Sequence, residues 1–225
     1  MEWLILPAGI PTASELDALI SPKFEVRTGK GPLTYVATKV AEAWQGGPEP
    51  TFQSWDMEQG VILESEARSW YEFEFGVDIR RVGFITTDDG RAGCSPDGLL
   101  PGDCGLEIKC PAARTHAKYL LDGKLPEEYE HQVHASMYVT GFDEWKFFSY
   151  CKGFPKLVLT VDRDEKKIAA IEEALSLFRE RFDAAMSKIE KLNGGPPRHM
   201  KPVANKPLPT LKPTTTKLIE LTYLQ

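Results

Sequence analysis

Five residues, Leu106–Cys110, alternate apolar and charged side chains. On a strand, residues two apart point to the same face. If Leu106 and Ile108 enter a core, Glu107 and Lys109 must stand together on the opposite face. A few residues upstream the chain reads Cys94-Ser-Pro-Asp-Gly-Leu-Leu. Pro-Asp-Gly is a turn sequence, so Asp97 is expected at a turn after a strand. A short Gly-containing turn then leads into the Glu-Ile-Lys strand. This arrangement lets Asp97, Glu107 and Lys109 converge on one spot. Two carboxylates beside an ammonium suit a divalent cation and a developing phosphate charge.

The pattern Pro96-Asp97 followed by Glu107-Ile108-Lys109 resembles the PD-(D/E)xK nuclease signature. Elsewhere, Pro-Asp-Gly also serves as an ordinary hairpin turn, and Glu-x-Lys as a solvated ion pair of little energetic weight.

With 225 residues, 42% hydrophobic and 27% charged, the chain is long enough for one well-buried domain. It has no run of about 18 apolar residues of the kind that spans a membrane. Its first residues, Met-Glu-Trp-Leu-Ile-Leu-Pro, lack the basic start of a secretory signal, so a cytoplasmic location is expected. The cysteines at 94, 104, 110 and 151 show no Cys-x-x-Cys spacing, and reduced, packed thiols are expected rather than a zinc or iron–sulfur site. The net charge of −6 argues against a generally adhesive nucleic-acid binder. The charge is uneven, however. Residues 194–217 hold Arg198, Lys201, Lys206, Lys212 and Lys217 and no acidic residue.

Helices are expected over Thr12–Ile20, with Thr12 or Ser14 as cap, and over Leu33–Trp44, Met57–Phe75, Lys118–Asp122 and Pro126–Thr140. Gly76 is the expected C-cap of the third. Strands are expected over Val77–Thr87, Arg91–Ser95, Leu106–Cys110, Trp145–Tyr150 and Lys156–Val161. Asp164–Leu192 carries an apolar stripe of Ile168, Ile171, Leu175, Phe178, Phe182, Met186 and Ile189 at helical spacing. Such a stripe suits core or subunit packing. After Asn193 six prolines fall within residues 194–213, an extended linker, followed by the apolar Leu218–Leu224. The expected division is a nuclease domain over 1–193 and a basic arm with a docking segment over 194–225.

Five stretches in order resemble the phage lambda exonuclease family, the YqaJ-like viral recombinases. They are Gly9–Glu15, Gly60–Arg68, Cys94–Leu99, Gly105–Pro111 and His131–Tyr138. The resemblance implies an α/β (α+β) fold with a restriction-endonuclease-like core, a central mixed β-sheet flanked by helices. It implies Mg²⁺-dependent (Mn²⁺ as substitute), processive 5′-to-3′ digestion of one strand of linear double-stranded DNA, leaving 3′ overhangs. It further implies a ring-shaped homotrimer, a single-strand annealing protein as partner, and the host bacterial cytoplasm as location.

By matching position, Asp97, Glu107 and Lys109 form the core set and the Ile108 carbonyl adds a metal ligand. Glu64 supplies a helix carboxylate, Gln132 orients water, and Ser14 lies near the terminal phosphate. From the residues alone Glu66 rivals Glu64, and Lys109 is either a base or an electrostatic stabiliser. His131 and His134 stand three apart, a spacing that permits metal binding but commonly has no such meaning. The family's arginine, about seven residues before the serine, is missing here: Pro7-Ala8 stand there and the first arginine is Arg27. Arg27 or Lys30 is expected to take its role. The alternatives are an endonuclease of the same fold, restriction-type or junction-resolving, and a silent DNA-binding or phage structural protein.

Overall fold

A computed structural model describes residues 8–47 and 55–195. The element order begins with a 3-10 helix (Ala13–Ala18), α1 (Lys30–Gln45) and α2 (Trp55–Phe75). Four strands follow: β1 (Ile85–Thr86), β2 (Gly93–Cys94), β3 (Gly98–Leu100) and β4 (Cys104–Lys109). The chain continues through α3 (Ala113–Asp122), α4 (Glu127–Thr140), β5 (Glu144–Ser149), β6 (Leu157–Asp162) and α5 (Glu165–Asn193). The basic arm and its Leu218–Leu224 segment lie outside the described residues.

The main sheet has the order β3-β4-β5-β6. β3 and β4 form an antiparallel hairpin, β4 and β5 run parallel, and β5 and β6 are antiparallel. The sheet is therefore mixed, with α3 and α4 making the crossover that a parallel pair requires. The β3–β4 turn is tight. Gly102 and Asp103 both take left-handed backbone, at φ 85° and 55°, which glycine and aspartate tolerate best.

Alternation along β4 sorts its side chains as the sequence demands. Leu106 and Ile108 enter a core with Ala67 and Tyr71 of α2, Ile79, Phe148 and Tyr150. The larger core lies among the 3-10 helix, α1, α4 and α5. There Ile168, Ile171, Leu175, Phe178 and Met186 are buried, and Phe182 and Ile189 pack against them. Asp164 caps α5, its carboxylate accepting from the Lys166 and Lys167 amides at 2.9 and 3.3 Å.

Three expectations need correction. The segment expected as one strand over Val77–Thr87 contributes only Ile85–Thr86 and an isolated bridge between Arg80 and Leu99. Its first half hangs from α2 instead, where the Ile79 amide donates to Glu72 Oε1 at 3.0 Å. The first helix is a 3-10 turn, and the Thr12 hydroxyl donates to Glu15 Oε2 (2.9 Å) instead of capping the backbone. Residues 98–100, with no alternation long enough to read, form β3. Gly98 is required there, since a Cβ would stand 2.1 Å from Ile79 Cγ2.

Candidate active site

The β3–β4 hairpin and two helices assemble the charged cluster. Asp97 sits just before β3, and its Oδ2 accepts the Ile108 amide at 2.6 Å. That bond joins the two limbs of the hairpin and holds Asp97 against β4. On β4, Glu107 is only 2% exposed. Its Oε1 accepts from two donors, Lys109 Nζ and Gln132 Nε2, each at 2.6 Å. Gln132 comes from α4, which covers the face of β4 opposite the Leu106–Ile108 core. Hence α4 brings the amide, β4 the acid and the ammonium, and the preceding turn the second acid.

Glu64 comes from α2. Arg68, one turn further on, donates from Nη2 to Glu64 Oε1 at 2.7 Å and to the Asp97 carbonyl at 2.9 Å. The Glu64 charge is close enough to raise the pKa of both Asp97 and Glu107. Glu66 faces elsewhere, accepting from the Tyr150 hydroxyl at 2.6 Å and pairing with Lys152 at 3.4 Å. Geometry thus separates two carboxylates that sequence left equal.

The electrostatics are those of a site short of positive charge. Burial, then the Glu107 and Glu64 carboxylates, push Asp97 from 3.8 up to about 8. Burial also raises Glu107, against the pull of Lys109 and Gln132. Burial draws the Lys109 ammonium down, but Glu107 and Asp97 outweigh it and hold it above its ordinary value. Two carboxyl groups that resist ionisation together are relieved by a cation. Among the described residues no three His, Cys, Asp or Glu side chains form a ready-made cage. The donor set nevertheless fits a hard divalent ion: Asp97, Glu107 and main-chain oxygen could hold it, with Glu64 joining if it leaves Arg68.

Ser14 is exposed on the 3-10 helix, which packs on α4. Arg27 is exposed and its Nε donates to the Ile20 carbonyl at 2.9 Å. Lys30 is the exposed first residue of α1. His131 and His134 are engaged away from the carboxylates: His131 Nε2 meets the Ser21 carbonyl at 2.8 Å, and His134 Nε2 lies 3.1 Å from Lys167 Nζ. All four cysteines are free thiols, with Cys94 and Cys104 buried.

Two participants were not singled out from sequence. Arg68 was detectable, because Glu64 and Arg68 stand at the i,i+4 spacing of helix ion pairs. Tyr129, whose ring lies 4.9 Å from Lys109 Nζ, was signalled only by its position three residues before Gln132.

The family model of the YqaJ-like viral recombinase domain matches residues 2–143. The chain belongs to the YqaJ-like viral recombinase family. LHK-Exo, an alkaline exonuclease from Laribacter hongkongensis, is 28% identical, with a TM-score of 0.73 over 83% of this chain and 94% of its own. The structure of LHK-Exo in complex with dAMP gives a TM-score of 0.74 at the same identity and coverage. A phage-related exonuclease from Haemophilus somnus 129PT, 13% identical, shares the fold, at a TM-score of 0.60 over 80% of this chain and 96% of its own. No curated protein matches the chain. Family and structural likeness make this chain a nuclease of the YqaJ-like group. Among its described residues, no helix is long and apolar enough to cross a membrane.

Proposed function

We propose that the protein is a Mg²⁺-dependent exonuclease that digests one strand of linear double-stranded DNA from 5′ to 3′, leaving 3′ single-stranded overhangs. The observation that carries this reading is the coupled pair of half-buried Asp97 and buried Glu107, which lacks sufficient countercharge and is flanked by Lys109 and Gln132. Nothing in the fold requires a buried acid close enough to a second, half-buried acid to raise the latter's pKa. The arrangement is costly unless a cation and a phosphate complete it.

Bound Mg²⁺ would supply a Lewis acid and a water of lowered pKa. Asp97, Glu107 and the Ile108 carbonyl would hold one ion, and Asp97 with Glu64 a second. The chain's own groups do the rest. Lys109, held charged, faces the negative charge that builds on the phosphate in the transition state. Gln132, an amide donor with its own carbonyl to offer, positions the attacking water. Asp97 is fixed by the Ile108 amide and by Arg68 on its carbonyl, so its carboxylate need not be ordered during reaction. Ser14, Arg27 and Lys30 would meet the 5′ end. The dAMP bound to LHK-Exo supports release of mononucleotides. A ring trimer enclosing the duplex and a single-strand annealing partner complete the proposal. The basic arm would serve as a docking segment separate from the 1–193 domain.

Linear duplex labelled at either the 5′ or the 3′ end, incubated with protein and Mg²⁺, tests the reading. Early release of the 5′ label as a mononucleotide, with closed circles untouched, is expected. Cutting of closed circles would replace it with an endonuclease of the same fold. A monomer in sedimentation at micromolar concentration would remove the ring alone.

A further inference from the structure

We infer that Tyr129 is a positioning residue for Lys109, holding the ammonium in place through the face of its ring. This rests on the nuclease reading above but concerns a residue that reading does not use.

Glu107 Oε1 already carries two donors, Lys109 and Gln132, each at 2.6 Å. If Glu107 also serves a cation, that oxygen is less able to fix the lysine. An ammonium on a flexible four-carbon stem, loosened from its carboxylate, has many places to go. Tyr129 offers the other anchor. Lys109 Nζ lies 4.9 Å from its ring centroid, and an aromatic face attracts a cation without competing for the cation's own ligands.

The ring is itself well held. It packs on Phe147 at 5.2 Å between centroids and edge-on against Tyr119 at 6.3 Å. Phe147 is fully buried and stands opposite Glu107 in the β4–β5 register. The Tyr119 hydroxyl donates to Glu128 Oε1, which steadies the outer side of the stack. Tyr129 and Gln132 lie three apart on α4, so one helix face presents both the ring to Lys109 and the amide to Glu107. The lysine is thus fixed by two groups of different chemistry, a carboxylate that a cation would share and a ring that it would not.

Tyr129→Leu and Tyr129→Phe separate the idea from general packing. In single-turnover cleavage of linear duplex, Tyr129→Leu should lower the maximal rate on the order of tenfold with little change in KM. Tyr129→Phe, which keeps the ring, should stay near wild type. NMR gives a readout independent of turnover. The Lys109 side-chain methylene protons should be shifted upfield by the ring in wild type and Tyr129→Phe, with or without Ca²⁺, and not in Tyr129→Leu. If the Leu variant does not fold, Tyr129→Met, which refills the volume, carries the same expectation. A Leu or Met variant at full rate would overturn the inference. So would a Phe variant as impaired as Leu, or an absent ring shift on Lys109. Inactive wild-type protein with the ring shift intact would instead count against the nuclease reading.

Discussion

Asp97→Asn should make the metal-free protein more stable while destroying its activity. The ordinary carboxyl value of 3.8 becomes about 8 in the folded site, through burial and the neighbouring Glu107 and Glu64. At 1.36 kcal/mol per pH unit, that distance corresponds to about 6 kcal/mol against the charged form. Lost attraction to Lys109 and partial solvent access reduce what the substitution recovers, leaving about 2–3 kcal/mol. The sign follows from a raised folded-state value: stability is full below about pH 4, where both states are protonated, and drains away as pH climbs to about 8. Asparagine avoids this drain and can still accept the Ile108 amide. Thermal unfolding in EDTA should therefore coincide for the two proteins near pH 4. By pH 8, Asp97→Asn should lead by about 4–12 °C. Mg²⁺ should raise the wild-type midpoint and barely move the variant. Equal midpoints at pH 8, or a less stable variant there, would refute the reasoning.

Lys109→Ala should cut turnover on the order of 10²-fold or more while far-UV dichroism and DNA binding stay close to wild type; retention of half the rate would exclude its role. Glu64→Gln should lose most Mg²⁺-dependent cleavage and Glu66→Gln should not, as measured by nucleotide release, because only Glu64 lies beside Asp97 and Glu107. Removing Arg27 and Lys30 together should weaken the preference for a 5′-phosphorylated over a 5′-hydroxyl end; an unchanged rate ratio would assign end recognition to other residues.

The hairpin core was legible because two constraints coincide there. Alternation over Leu106–Cys110 fixes which side chains face the core, the Gly-containing turn at 101–103 reverses the chain, and Pro-Asp-Gly marks the bend that leads Asp97 into β3. The long helix α5 was equally clear, since seven apolar residues at steps of three and four leave little choice of face. Segment 77–87 misled because its apolar Val77 and Ile79 resemble a strand, whereas tertiary contacts decide: Ile79 packs beneath Gly98 and its amide bonds Glu72. β3 is three residues long, too short for any periodicity to register. Within the site, Glu64 and Glu66 differ only in which way α2 turns, a matter of packing against β4 that no local pattern encodes. Tyr129 acts through a ring contact between a helix and a strand, which one-dimensional spacing hardly signals. The family resemblance named Glu64 as the helix carboxylate, and the geometry sets Glu64 near Asp97 while Glu66 turns to Tyr150.

The proposed cleaving centre is buried Glu107, joined to Lys109 and Gln132, together with Asp97. Glu107→Gln is the sharpest test, because the amide keeps the volume and one acceptor oxygen for Lys109 and Gln132 while removing the charge. Single-turnover release of mononucleotides from linear duplex at saturating Mg²⁺ should fall by at least about 10²-fold, with folding retained. Cleavage by Glu107→Gln at the wild-type rate would place the active site elsewhere on the molecule.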